Sequence, residues 1–101
     1  MWWRVPEAER AAYLARIMDG VEGTKQAGAE LVGFALNEDD TPNRADFTYL
    51  AAWRMRDRAA VEHQDSYFLQ SGWTDYFDQV NARGRVITGG QLVRHQMGQA
   101  I

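Results

Sequence analysis

The chain has 101 residues, 46% of them hydrophobic, with four tryptophans and no cysteine, which sets one domain without disulfides, thiolate metal sites or a cysteine nucleophile. Eleven basic residues against 14 acidic ones give a formal charge of −3, so nothing general draws a nucleic-acid backbone to it. Charges interrupt every apolar run before the roughly 18 residues that a membrane helix requires, and the first ten residues lack the pattern of a secretory signal. A cytoplasmic setting is the default expectation for such a chain.

Pro6 is expected to open a first helix, where its missing N–H costs nothing and Glu7 and Glu9 complement the positive end of the dipole. Leu14, Ile17, Met18 and Val21 follow at the spacing of one apolar stripe. Gly20 and Gly23 interrupt the helix and predict a bend or close packing beside them, and Gly28 ends it.

Glu30 to Leu36 reads as a strand with apolar residues on both faces, so it is expected to be covered on both sides. A loop of turn formers, Asn37 to Ala45, leads to a second strand over Asp46 to Arg54, and the two are expected to pair antiparallel. Asp57 is placed to cap a second helix over Arg58 to Gln70, with Val61, Phe68 and Leu69 on its apolar side and Gly72 beyond its end. Trp73 to Phe77 follows as a short aromatic turn. Gln79 to Ile87 is expected to form a further strand, weakened by Gly84, and Thr88 to cap a last helix over Gly89 to Gly98.

Strands that are apolar on both faces need two covering layers, and one set of helices supplies only one of them. A second copy of the chain is the simplest source of the other, which predicts a homodimer.

Four segments carry a resemblance to a known superfamily: Pro6 to Tyr13, Gly28 to Gly33, Asn43 to Asp46, and Gly72 to Asn81. Through them the chain resembles the dimeric α+β barrel superfamily, and within it a small, functionally uncharacterised family. The resemblance implies an α+β fold, a ferredoxin-like β-α-β-β-α-β antiparallel sheet packed on helices, with two copies forming the barrel. Its relatives include cofactor-free monooxygenases, polyketide cyclases, haem enzymes and stress-responsive proteins, so kinship of fold leaves the activity open. The superfamily's first strand precedes its first helix, where only Met1 to Val5 stands here. That strand is therefore expected to be short or missing, or the natural chain to begin upstream of Met1.

Metal chemistry finds little purchase. The two histidines, His63 and His95, are far apart and no H-x-x-x-H or H-E-x-x-H pair exists. Glu38, Asp39 and Asp40 lack the alternate spacing of a calcium loop, and neither Ser66 nor Ser71 stands in a G-x-S-x-G elbow. No metal, cofactor or nucleic-acid partner is expected. The aromatic residues are more suggestive. Tyr49 and Trp53 share one strand face, while Tyr67, Phe68, Trp73, Tyr76 and Phe77 gather near the end of the second helix, with His63 one turn before Tyr67. Rings with polar handles suit a flat, partly polar organic ligand.

Two functions follow. In the first, a homodimer binds or transforms a small aromatic or cyclic molecule, as a cofactor-independent monooxygenase or cyclase would. His63 is then general base or hydrogen-bond partner, and Tyr49, Trp53, Tyr67, Trp73, Tyr76 and Asn81 line the pocket. In the second, the dimer is a non-catalytic structural or stress-related assembly whose aromatic residues fill core and interface.

Overall fold

The computed structural model describes residues 1–101. Pro6 sits extended ahead of α1 (Glu7–Gln26), and both first-turn acids stand where the helix dipole favours them. The apolar stripe narrows relative to the sequence pattern. Ile17 and Val21 are buried while Leu14 and Met18 remain exposed, and Thr24 takes the next buried turn with its hydroxyl donating to the Val21 carbonyl at 2.7 Å. That internal bond removes the cost of burying a hydroxyl. Gly20 is a close-packing site: a Cβ there would overlap the Tyr67 ring, whose hydroxyl donates to the Ile17 carbonyl at 3.2 Å. After α1, Gly28 takes φ +110°, a conformation that side-chain-bearing residues rarely adopt, and the chain turns directly into β1.

β1 (Ala29–Leu36) and β2 (Tyr49–Met55) form one two-stranded antiparallel sheet, registered from Ala29 opposite Met55 to Leu36 opposite Tyr49. An irregularity between Leu31 and Gly33 shifts the pairing. β2 begins at Tyr49 rather than Asp46 because Asn37 closes the hairpin first. Its side-chain amide donates to the carbonyls of Ala45 and Phe47 at 2.9 and 2.8 Å, and Arg44 reaches back to the Glu38 carbonyl at 3.0 Å. Helices cover only the base of this hairpin. Ala29 is buried, yet Val32, Phe34, Leu36 and Tyr49 are all exposed, so the second covering layer is not supplied within the chain.

Asp57 caps α2 (Arg58–Gln70) as expected, accepting from the Ala60 amide at 2.8 Å. Ala60, Val61 and Gln64 are its buried residues, whereas Leu69 points to solvent and Phe68 is half-buried. The core is thus a small group where α1 and α2 meet the hairpin base: Ile17, Val21, Thr24, Ala29, Ala60 and Val61. The one-turn α3 (Trp73–Tyr76) follows, and α4 (Gly89–Gln96) opens with the expected Thr88 cap, a full capping box with Gln91.

The strand expected over Gln79 to Ile87 is not formed, and the one expected to be short or missing ahead of α1 is absent. Trp2–Arg4 is a 3₁₀ turn, because Trp2 is drawn into a group of rings and Met1 to Val5 closes on itself instead of extending. Residues 77–88 carry no regular structure, and residues 78–87 neither donate nor accept a backbone hydrogen bond. A strand needs a paired edge, and none lies alongside this segment. α4 buries no residue and packs substantially on no other element, so residues 78–101 form an arm. The molecule measures 54 × 35 × 19 Å with a radius of gyration of 16.9 Å, against about 13 Å for a compact chain of this length.

Candidate functional site

The residues singled out in the sequence fall into three places. Aromatic rings form the first. Trp2 is buried at its centre, edge-on to Tyr13 and Tyr76 with centroids 5.9 and 5.4 Å away and tilted against Phe77 at 4.8 Å. The series continues from Phe77 to Trp73 (4.3 Å), Phe68 (6.1 Å) and Tyr67 (5.2 Å). Tyr67, Trp73 and Tyr76 are therefore brought together, by the end of α2 and the tight turn into α3. Each ring is engaged by its neighbours in edge-to-face geometry, the arrangement that stabilises a packed cluster.

Polar contacts tie this cluster to the helices. The Tyr13 hydroxyl donates to the Ser71 carbonyl at 3.1 Å and joins the start of α1 to the end of α2. Burial, which disfavours the phenolate, raises the pKa of Tyr13, and it does the same for Tyr67. Both hydroxyls donate to backbone carbonyls, Tyr13 to Ser71 and Tyr67 to Ile17.

The outer face of α2 makes the second place. Glu62, His63, Ser66, Tyr67 and Gln70 line a wide-open concavity of about 420 Å³. His63 is exposed, lines the concavity, and its ring makes no hydrogen bond within the chain. The spacing of His63 and Tyr67 does place them on one wall, one turn apart. Glu62 is paired instead with Arg58 at 3.6 Å along the same helix. On the same helix, Gln64 is buried with its amide nitrogen unpartnered.

The hairpin is the third place. Tyr49 is exposed, and Trp53 is half-buried with its ring edge-on to Phe34 at 6.4 Å. These two residues share a face with Phe34 and stand apart from the aromatic cluster. Asn81 lies on the arm, exposed, its side-chain oxygen accepting from Gln79 at 2.7 Å. No single pocket unites the seven candidates. No group of three or more His, Asp or Glu side chains is placed to hold a metal ion, and no helix is long and apolar enough to cross a membrane.

Sequence reasoning placed Phe77 with the rings at the end of the second helix but passed over Trp2 and Tyr13, the middle of the cluster. Tyr13 stands four residues before Ile17 on the α1 stripe, and that spacing was a usable signal. Trp2 had none, since its burial depends on contacts with residues more than seventy positions away.

A family model described as a family of unknown function (DUF6616) matches residues 1–98. No curated protein and no solved structure matches the chain.

Proposed function

Since the chain belongs to this uncharacterised family over nearly its whole length, we propose a function from its own geometry: a homodimer in which each copy binds a small aromatic or cyclic organic molecule on the outer face of α2. The observation that carries this reading is the groove lined by His63, Ser66, Tyr67 and Gln70. Its volume falls in the range of small-molecule sites, roughly 300–1,000 Å³, and it presents an unengaged imidazole beside a phenol ring. His63 acts there as general base or hydrogen-bond partner, Ser66 and Gln70 orient polar edges, and the Tyr67 ring supplies the apolar wall. In the enzymatic form of this reading, the reaction is a cofactor-independent oxygenation or cyclisation in which His63 takes a proton from an acidic ring position of the substrate.

The groove is too open to exclude water alone, so a second copy is part of the proposal. A ferredoxin-like sheet completed into a dimeric α+β barrel is the arrangement proposed for the pair. Exposed surface supports association. A compact chain of 11.5 kDa exposes about 5,800 Å², whereas this one exposes 8283 Å². The excess is about 2,500 Å² per chain, or about 5,000 Å² for two, at the upper end of what obligate homodimers bury in total.

A second reading, a dimer without a ligand, is favoured by the use of the rings. Trp2, Tyr13, Trp73, Tyr76 and Phe77 pack on one another rather than line the groove. One experiment separates the two. The His63 ring protons are followed by NMR during titration with a panel of substituted phenols and cyclic ketones. Saturable shifts at His63 that disappear in Gln70→Ala support the bound-ligand reading. No shift at millimolar concentration with any member of the panel leaves the ligand-free dimer.

A further inference from the structure

We propose that two copies of this chain exchange their C-terminal arms, residues 79–87 of each adding as a strand to the open edge of the other's β1–β2 hairpin. The proposal rests on the dimer half of the functional reading above and specifies how that dimer is built.

Hydrogen-bonding groups give the first argument. Residues 78–87 leave every backbone N–H and C=O without a backbone partner, and a two-stranded sheet leaves one edge of each strand equally unpaired. Unpaired edges are templates for strand addition. Lengths match as well: nine extended residues span about 30 Å, against about 26 Å for the eight of β1.

Side-chain pattern is the second argument. Within 79–87, Val80, Ala82 and Val86 alternate with Gln79, Asn81, Arg83 and Arg85, the period of a half-buried strand. Val86 is 92% exposed. The hairpin offers a matching surface in Phe34, Leu36 and Tyr49, which are 57, 71 and 68% exposed. Arg83, in the middle of the segment, pairs with Asp65 on α2 of its own copy at 2.7 Å; the pair is half-exposed and weak, and it is given up when the segment crosses.

Charge is the third. The arm carries Arg83, Arg85 and Arg94 against Asp78 alone, while the hairpin loop carries Glu38, Asp39, Asp40 and Asp46 against Arg44. A basic arm laid along the hairpin of a second copy meets an acidic tip, which steers the encounter and sets the direction of the added strand. Finally, α4 exposes Leu92, Val93 and Met97 on an arm that touches little of its own body. Crossing to a partner is the step that covers them.

Because the chain has no cysteine, the exchange can be read by cross-linking between introduced thiols. Leu36→Cys and Val86→Cys are both at exposed positions, so each leaves the fold of its own copy intact. A mass-tagged Leu36→Cys chain is mixed with an untagged Val86→Cys chain and treated with a short bismaleimide. The expected result is a covalent heterodimer as a major product. A Leu36→Cys/Val86→Cys chain that cross-links within one copy at high dilution would overturn the exchange, the arm then folding on its own hairpin. A dimer by mass with no linkage between positions 36 and 86 would also overturn it, while leaving the ligand-binding dimer intact. As a second readout, Val80→Asp/Val86→Asp in the full chain should raise the dimer dissociation constant at least a hundredfold with unchanged helical circular dichroism. An unchanged constant contradicts the proposal.

Discussion

Replacing Gly20 with alanine sets two calculable effects against each other. In an exposed helix interior the change stabilises by about 1 kcal/mol, through the lower entropy of the unfolded chain and better helix propensity. At Gly20 the new methyl overlaps the Tyr67 ring, including its hydroxyl oxygen. The ring must swing off α1, giving up the hydrogen bond to the Ile17 carbonyl, worth about 1 kcal/mol, and ring burial against the helix worth about 1–2 kcal/mol more. The net expectation is a loss of about 1–2 kcal/mol, a fall of roughly 4–16 °C in melting temperature for a domain of this size. Gly23 is the internal control, since a Cβ there meets nothing within 4 Å; Gly23→Ala should stabilise by about 0.5–1 kcal/mol. In Gly20→Ala/Tyr67→Ala the overlap is gone and the alanine at 20 should again be favourable, giving a coupling of about 2 kcal/mol in the double-mutant cycle. Urea denaturation of the wild type, Gly20→Ala, Gly23→Ala, Tyr67→Ala and Gly20→Ala/Tyr67→Ala proteins measures all these values. Equal stabilisation by Gly20→Ala and Gly23→Ala would refute the close packing of Tyr67 on α1.

The other predictions address pH, the cap and the candidate base. Burial raises the folded pKa of Tyr13 and Tyr67, so their contribution is complete below the ordinary tyrosine value of about 10 and is lost as pH rises through the higher folded values; Tyr67→Phe should flatten the alkaline unfolding curve. The Ala60 amide holds the Asp57 carboxyl below its usual value, so this contribution is complete above the unfolded pKa and is lost as pH falls through the folded one. Asp57→Asn should keep the cap while removing that acid sensitivity. His63→Ala, at an exposed position, should change stability by less than about 0.5 kcal/mol while abolishing ligand-induced shifts of the Tyr67 ring protons; Ile17→Ala, at a buried one, should cost about 2–5 kcal/mol. Phe68→Ala should cost less than a fully buried phenylalanine would, about 2 kcal/mol, because its ring is half-exposed.

What was legible in the sequence divides by range. Asp57 and Thr88 cap their helices as read, because an N-cap is decided by a side chain and an amide three residues away. The β1–β2 pair was equally legible, although its second strand starts three residues late because Asn37 ties off the loop. Residues 79–87 were misread, and the burial of Trp2 was not read at all, for a common reason. Whether Met1 to Val5 extends or coils depends on rings of α1 and of the Trp73–Phe77 turn, and whether 79–87 is a strand depends on an edge that its own copy does not place beside it. The candidate site followed the same rule. His63 and Tyr67 share a wall because they are one helical turn apart, while Tyr49, Trp53 and Asn81 are dispersed by tertiary structure that periodicity does not encode.

The dimer underlies both the binding site and the exchanged arm, and molecular mass in solution tests it most directly. Light scattering on the full chain, coupled to gel filtration at about 20–50 μM, should give close to twice the 11.5 kDa chain mass, since the exposed excess of two chains, about 5,000 Å², reaches the upper end of what obligate homodimers bury. A single species of 11.5 kDa across that range would contradict the account.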